Sequence, residues 1–135
     1  MSMRQIMKLF LVLSEEDKTF DQVRPLVDQL FHNECRMQTP TGFMNKARIM
    51  ADMEDIVNNK VTMELTRLEQ DEFGLSYDYT MRRPREHMHH VKATAMVRDG
   101  KIYHASLTED NENEAQQQKA VDAKRRMTTP IIHGF

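Results

Sequence analysis

Asp99-Gly100 separates two stretches of alternating polarity, and this arrangement forces an antiparallel hairpin on any fold the chain adopts. A two-residue Asp-Gly turn takes positive φ at both positions, and its twist matches that of the paired strands. His89, Val91, Ala93, Ala95 and Val97 share one face of the incoming strand, and Lys101 to Leu107 forms the return. The turn sets Arg98 against Lys101, Val97 against Ile102, Met96 against Tyr103 and Ala95 against His104; carried further, it sets His89 against Asp110. A third strand precedes them, because Leu75, Tyr77, Tyr79 and Met81 alternate with Ser76, Asp78 and Thr80. Arg82-Arg83-Pro84-Arg85 then forms a loop, since proline cannot donate to a central ladder.

The remaining segments read as follows. Gln5 to Leu13 is almost continuously apolar and of strand length, which predicts a strand buried on both faces. Val23, Leu26, Val27, Leu30 and Phe31 recur at helical spacing, with Thr19 and Gln22 placed as a capping box. Pro25 moves the expected start of the regular helix toward Asp21. Asn33 to Gln38 reads as a polar connection and Thr39-Pro40-Thr41-Gly42 as a turn. A second helix follows, carrying Phe43, Ala47, Met50, Met53 and Val57 on one stripe and stopping at Asn58-Asn59. Val61 to Glu72 divides the signals: Val61, Met63 and Leu65 alternate like a strand, whereas the composition from Met63 to Glu72 favours a helix, and the segment is read as helix. Phe73-Gly74 turns the chain. Asn111 to Met127 reads as a final helix, acidic at its start and basic at its end, with Ala115, Ala120, Ala123 and Met127 as a narrow face. Residues 128–135 form a tail.

Composition narrows the function classes. At 135 residues the chain is one domain long, and a net charge of −2 removes the global basic excess of nucleic-acid proteins, so any such contact is a local patch. A single cysteine, Cys35, closes no internal disulfide and argues for an intracellular, cytoplasmic setting; the one apolar run is too short for a membrane span. No Gly-rich phosphate loop occurs among the four glycines, Cys35 lacks any nucleophile signature, and Asp52, Glu54 and Asp55 look like the solvated side of a helix. His87 and His89 share a strand face, but two imidazoles do not make a metal site. No catalytic residue, metal or cofactor is therefore assigned. Met44, Met50 and Met53, among twelve methionines, fit core filling better than an adaptable groove.

From about Val61 onward, the expected order of helix, three antiparallel strands and helix resembles the double-stranded RNA-binding domain. Tyr77 stands ten residues before His87 in Pro84-Arg85-Glu86-His87, Asp99-Gly100-Lys101-Ile102-Tyr103 resembles that family's second hairpin, and the alanines of the last helix match its spacing. The resemblance covers residues 61–127 and implies an α+β fold: an antiparallel sheet with helices on one face, preceded by a strand and two helices, in a single domain over 1–127. The family's phosphate-gripping lysines are replaced here by Glu112, Asn113 and Gln116, so the resemblance implies a noncatalytic docking or dimerisation module. The partner is then a second copy or another protein, met through Tyr103, Leu107, Glu112, Glu114 and Met127. Weak duplex RNA binding through Arg82, Arg83, Arg85 and His87 is the alternative. A third reading is a small regulatory or inhibitor protein, viral sources included, whose acidic stretch from Glu109 to Glu114 occupies a basic cleft.

Overall fold

The computed structural model describes residues 2–111. Its elements are α1 (Ser2–Leu13), α2 (Phe20–Leu30), β1 (Phe31–Thr39), β2 (Gly42–Asn45), α3 (Lys46–Asn58), β3 (Thr62–Gln70), β4 (Leu75–Arg82), β5 (Met88–Arg98) and β6 (Lys101–Asn111). The six strands form one sheet in the order β2-β1-β6-β5-β4-β3, antiparallel throughout except where β1 runs parallel to β6. The α+β class and the mostly antiparallel sheet are as expected. The order is not that of a double-stranded RNA-binding domain, which has neither a strand at 62–70 nor a parallel β1 beside the final hairpin.

Three segments differ from expectation, each for a physical reason. Gln5 to Leu13 is helical: Ile6, Leu9, Phe10 and Leu13 form a buried stripe at i, i+3, i+4 and i+7. Met7 and Leu11 lie exposed on the other side, and their apolarity makes the run look two-faced. Residues 62–70 are a strand, so alternation prevails over helical composition. Met63 is buried opposite Met81, while the charges that suggested a helix sit outward on an edge strand, where they discourage further pairing. Arg67 donates to both Asp78 carboxylate oxygens, at 2.9 and 3.0 Å, and holds that carboxyl below the usual range. Residues 33–38, read as a connection, belong to β1, which buries Phe31, Cys35 and Met37.

Other local readings hold. Gln22 Oε1 accepts from the Thr19 amide at 2.9 Å, although the helix starts at Phe20 and keeps Pro25 inside it. Thr39 pairs with Gly42 around Pro40-Thr41, and α3 begins later than expected, capped by Asn45, which accepts from the Arg48 amide, and ends at Asn58. Asp99 and Gly100 have φ of 54° and 76°, as the two-residue turn requires. A bulge between Met96 and Val97 shifts the rest of the hairpin, so Met96 meets His104, Ala95 meets Ala105, and His89 meets Asn111 instead of Asp110. The expected helix over 111–127 and the tail lie outside the described residues, apart from Asn111 at the end of β6.

The three helices cover one face of the sheet. Lys18 is buried and donates to the carbonyls of Glu15 and Val61, fastening the α1–α2 turn to the start of β3. Among the described residues no helix is long and apolar enough to cross a membrane. The tightest backbone approach is at Gly74, whose φ is 156° and whose absent Cβ would stand 2.0 Å from the Ala95 carbonyl oxygen. Gly74→Ala should therefore destabilise by about 2–4 kcal/mol in urea titration, through backbone strain and overpacking together. An unchanged midpoint would show that the β3–β4 turn shifts freely.

Candidate functional site

Strand alternation builds a cavity on the helix-covered face. Along β4 the inward residues are Leu75, Tyr77, Tyr79 and Met81, with Arg83 next in phase beyond the strand end; along β5 they are Ala95, Ala93, Val91 and His89; along β6 they are Ala105, Leu107 and Glu109. The register stacks them in rows: Tyr77-Ala93-Leu107, then Tyr79-Val91-Glu109, with Met81 and His89 paired at the end. Leu9 and Phe10 of α1 and Met53 and Ile56 of α3 line the other side of a cavity of about 500 Å³, and Met37, Met44, Met63 and Met81 complete much of its apolar wall.

Polarity rises toward one end of these rows. Glu109, Asp52, Asp55, Asn59 and Arg83 all reach the lining. Asp52 is bound by Arg48 at 3.3 Å, and Arg83 lies 3.8 Å from Glu86. The shortest polar contact at this end joins His89 Nδ1 to Glu109 Oε1 at 2.8 Å, with the side chains 21% and 40% exposed. A carboxylate at Nδ1 fixes a proton there and leaves Nε2 with a lone pair in the neutral ring. His89 does not itself line the cavity; it stands behind Glu109, which does, and its far nitrogen is free of partners among the described residues, an arrangement open to an oriented base.

At the deeper rows Phe10 packs 4.9 Å from the Tyr79 ring and 6.1 Å from Tyr77. Burial pushes both tyrosine hydroxyls above their ordinary value, and Tyr79 is raised further by Tyr77 and by the Glu109 charge. Cys35 is also buried, which raises its thiol, and it does not line the cavity.

The residues singled out from sequence are dispersed. Arg83 reaches the cavity, whereas Arg82, Arg85 and His87 are exposed on or beside the β4–β5 loop. Leu107 faces the cavity; Tyr103 lies at the other end of β6, between the His32 ring at 5.3 Å and the Arg98 guanidinium at 4.6 Å. Glu112, Glu114 and Met127 fall outside the described residues. Tyr77, Tyr79, His89 and Glu109 were missed as a site. The projected pairing of His89 with an acid was the one available signal, and the bulge replaced Asp110 with Glu109. Among the described residues no group of three His, Cys, Asp or Glu side chains could hold a metal ion.

Neither the sequence profile of a known protein family nor any curated protein matches the chain. Solved structures do match its fold. Wild-type IdmH from Streptomyces antibioticus, a proposed polyketide cyclase, superposes with a TM-score of 0.66 at 11% identity, over 87% of this chain and 98% of its own. An NTF2-like protein of unknown function from Cytophaga hutchinsonii gives 0.62 at 14% identity, over 82% and 90%. A proposed isomerase of the SnoaL-like family from Agrobacterium tumefaciens gives 0.61 at 15% identity, over 80% and 96%. At such identities the likeness is one of fold. It replaces the RNA-binding-domain resemblance, so the noncatalytic docking and duplex-RNA readings it implied lose their basis, the structures with this fold including a proposed cyclase and a proposed isomerase. The inhibitor reading is corrected separately: Glu109, first of its acidic stretch, lines the cavity against His89.

The tyrosines give the protein an alkaline weakness. Below the ordinary value of 10.0 both folded and unfolded chains hold the hydroxyl protons; above it the unfolded chain releases them while the folded chain does not. Stability should then fall with rising pH by up to about 1.4 kcal/mol per pH unit for each tyrosine. Urea midpoints between pH 8 and 11 measure this, and the Tyr77→Phe/Tyr79→Phe double variant should lose most of that slope.

Proposed function

We propose that the chain binds a small, largely apolar ketone in this cavity and acts on it as an enzyme, with His89 as the general base. The observation that carries the reading is the 2.8 Å contact between His89 and Glu109 beside a cavity of about 500 Å³, a volume ordinary for small-molecule sites. Nε2 takes a proton from the carbon next to the carbonyl, the electron pair of that C–H bond moves onto the carbonyl oxygen as an enolate, and Glu109 steadies the imidazolium that forms. In a β,γ-unsaturated ketone the electron pair is shared with the second double bond, and return of the proton from Nε2 to the γ carbon gives the conjugated isomer; attack of an enolate carbon on a second carbonyl gives a ring, whose new alkoxide takes the proton back from Nε2. Both outcomes share the first step, and the solved structures named as an isomerase and a polyketide cyclase support placing this chain with that chemistry. A polyketide-type ketone is the ligand class this favours.

Deuterium uptake from D2O into a panel of cyclic and polycyclic ketones, followed by mass spectrometry, tests the step without knowledge of the product. Exchange should be catalysed by the wild-type protein, fall about 10²–10⁴-fold in His89→Ala, and fall less in Glu109→Gln, where the ring keeps an acceptor at Nδ1. Exchange at the wild-type rate in His89→Ala would remove the base from His89.

A further inference from the structure

Tyr77 and Tyr79 are only 4% and 7% exposed, yet neither hydroxyl makes a hydrogen bond among the described residues. A buried hydroxyl without a partner is costly, and phenylalanine would fill the same space without that cost. The only fully enclosed side-chain oxygen or nitrogen without a partner among the described residues is Gln5 Oε1, so both tyrosine oxygens keep some accessible surface, and both residues line the cavity. Tyr79 shares its row with Val91 and Glu109, and Tyr77 stands one row deeper with Ala93 and Leu107. The Glu109 carboxylate is engaged by His89 and lies beyond hydrogen-bonding reach of Tyr79.

The geometry points to Tyr79, with Tyr77 behind it, as donors to an acceptor oxygen on the bound molecule: the cavity takes an apolar ligand that carries a carbonyl oxygen in its body and discriminates against the matching hydrocarbon. This rests on the cavity being the ligand site, and it stands apart from the assignment of the base. Burial keeps both hydroxyls protonated throughout the neutral range, so each retains an O–H to donate to the ligand. The negative charge of Glu109 near Tyr79 favours a neutral carbonyl over a carboxylate at this position. Site chemistry of this kind separates oxygenated from bare analogues more strongly than a purely apolar wall does, because an unmatched donor stays buried and unpaired.

Two probes of similar shape test it: 2-acetylnaphthalene, which carries the carbonyl, and 2-ethylnaphthalene, which does not. Tyr79→Phe should weaken binding of the ketone about 5- to 20-fold, the value of one hydrogen bond, and leave the hydrocarbon within about twofold. Addition of Tyr77→Phe should weaken the ketone further. The carbonyl stretch of the bound ketone should lie at lower frequency in the wild-type protein and return upward in Tyr79→Phe. Both variants should fold with unchanged or raised urea midpoints at neutral pH, because the lost hydroxyls have no protein partner among the described residues. Equal losses for both probes, an unshifted carbonyl stretch, or failure of the wild-type protein to bind either probe would overturn the inference. Because the readout is binding alone, loss of exchange activity in His89→Ala bears on the base and leaves this result to stand or fall by itself.

Discussion

Phe10 wedged against Tyr77 and Tyr79 is the contact on which the interior depends. It holds α1 against the sheet through ring contacts at 6.1 Å to Tyr77 and 4.9 Å to Tyr79. A core this size would ordinarily close by collapse onto small residues. Here the helices meet the sheet along their own stripes, Ile6-Leu9-Phe10-Leu13 on α1 and Ile49-Ile56 on α3, and the face between them stays open as a cavity. One sheet face thus serves as both core and cavity wall.

The same alternation that buries this face grades its polarity. Each of β4, β5 and β6 runs from apolar residues to a polar one toward the same end: Leu75 to Arg83, Ala95 to His89, Ala105 to Glu109. Because the three strands are neighbours in antiparallel register, their polar ends coincide in space. The β5–β6 bulge is part of this arrangement. Without it His89 would stand opposite Asp110, and with it the ring reaches Glu109 on the adjacent row.

What could be read from the sequence was local. Asp99-Gly100, the 75–81 alternation, the Thr19–Gln22 cap and the Asn58-Asn59 stop all act within a few residues of chain, where turn and capping chemistry decide. What could not be read depended on the partner surface. Gln5 to Leu13 has enough apolar residues for either a strand or a helix, and only its burial against α2 and β3 selects the 6-9-10-13 stripe. Residues 62–70 have helical composition, and the free edge beside β4 outweighs it. The site was still harder to see, because its members lie on three strands, two of which change register at a one-residue bulge, and Tyr77 and Tyr79 look from sequence like ordinary core aromatics. The resemblance to an RNA-binding domain followed from misreading 62–70, since a helix there produces that domain's order of elements and a strand does not.

The central claim is that the inner face of the sheet, and not its outer face, receives a small molecule, and the methionines supply the reporters. With the methionine methyl groups labelled in carbon-13, NMR spectra recorded during addition of a polycyclic ketone should show the largest shifts at Met37, Met44, Met53, Met63 and Met81, which line the cavity, while exposed Met7 and Met96 stay in place. Shifts centred on Met96, on the outer face beside Phe43 and Phe73, or shifts at none of the cavity methionines, would contradict the account.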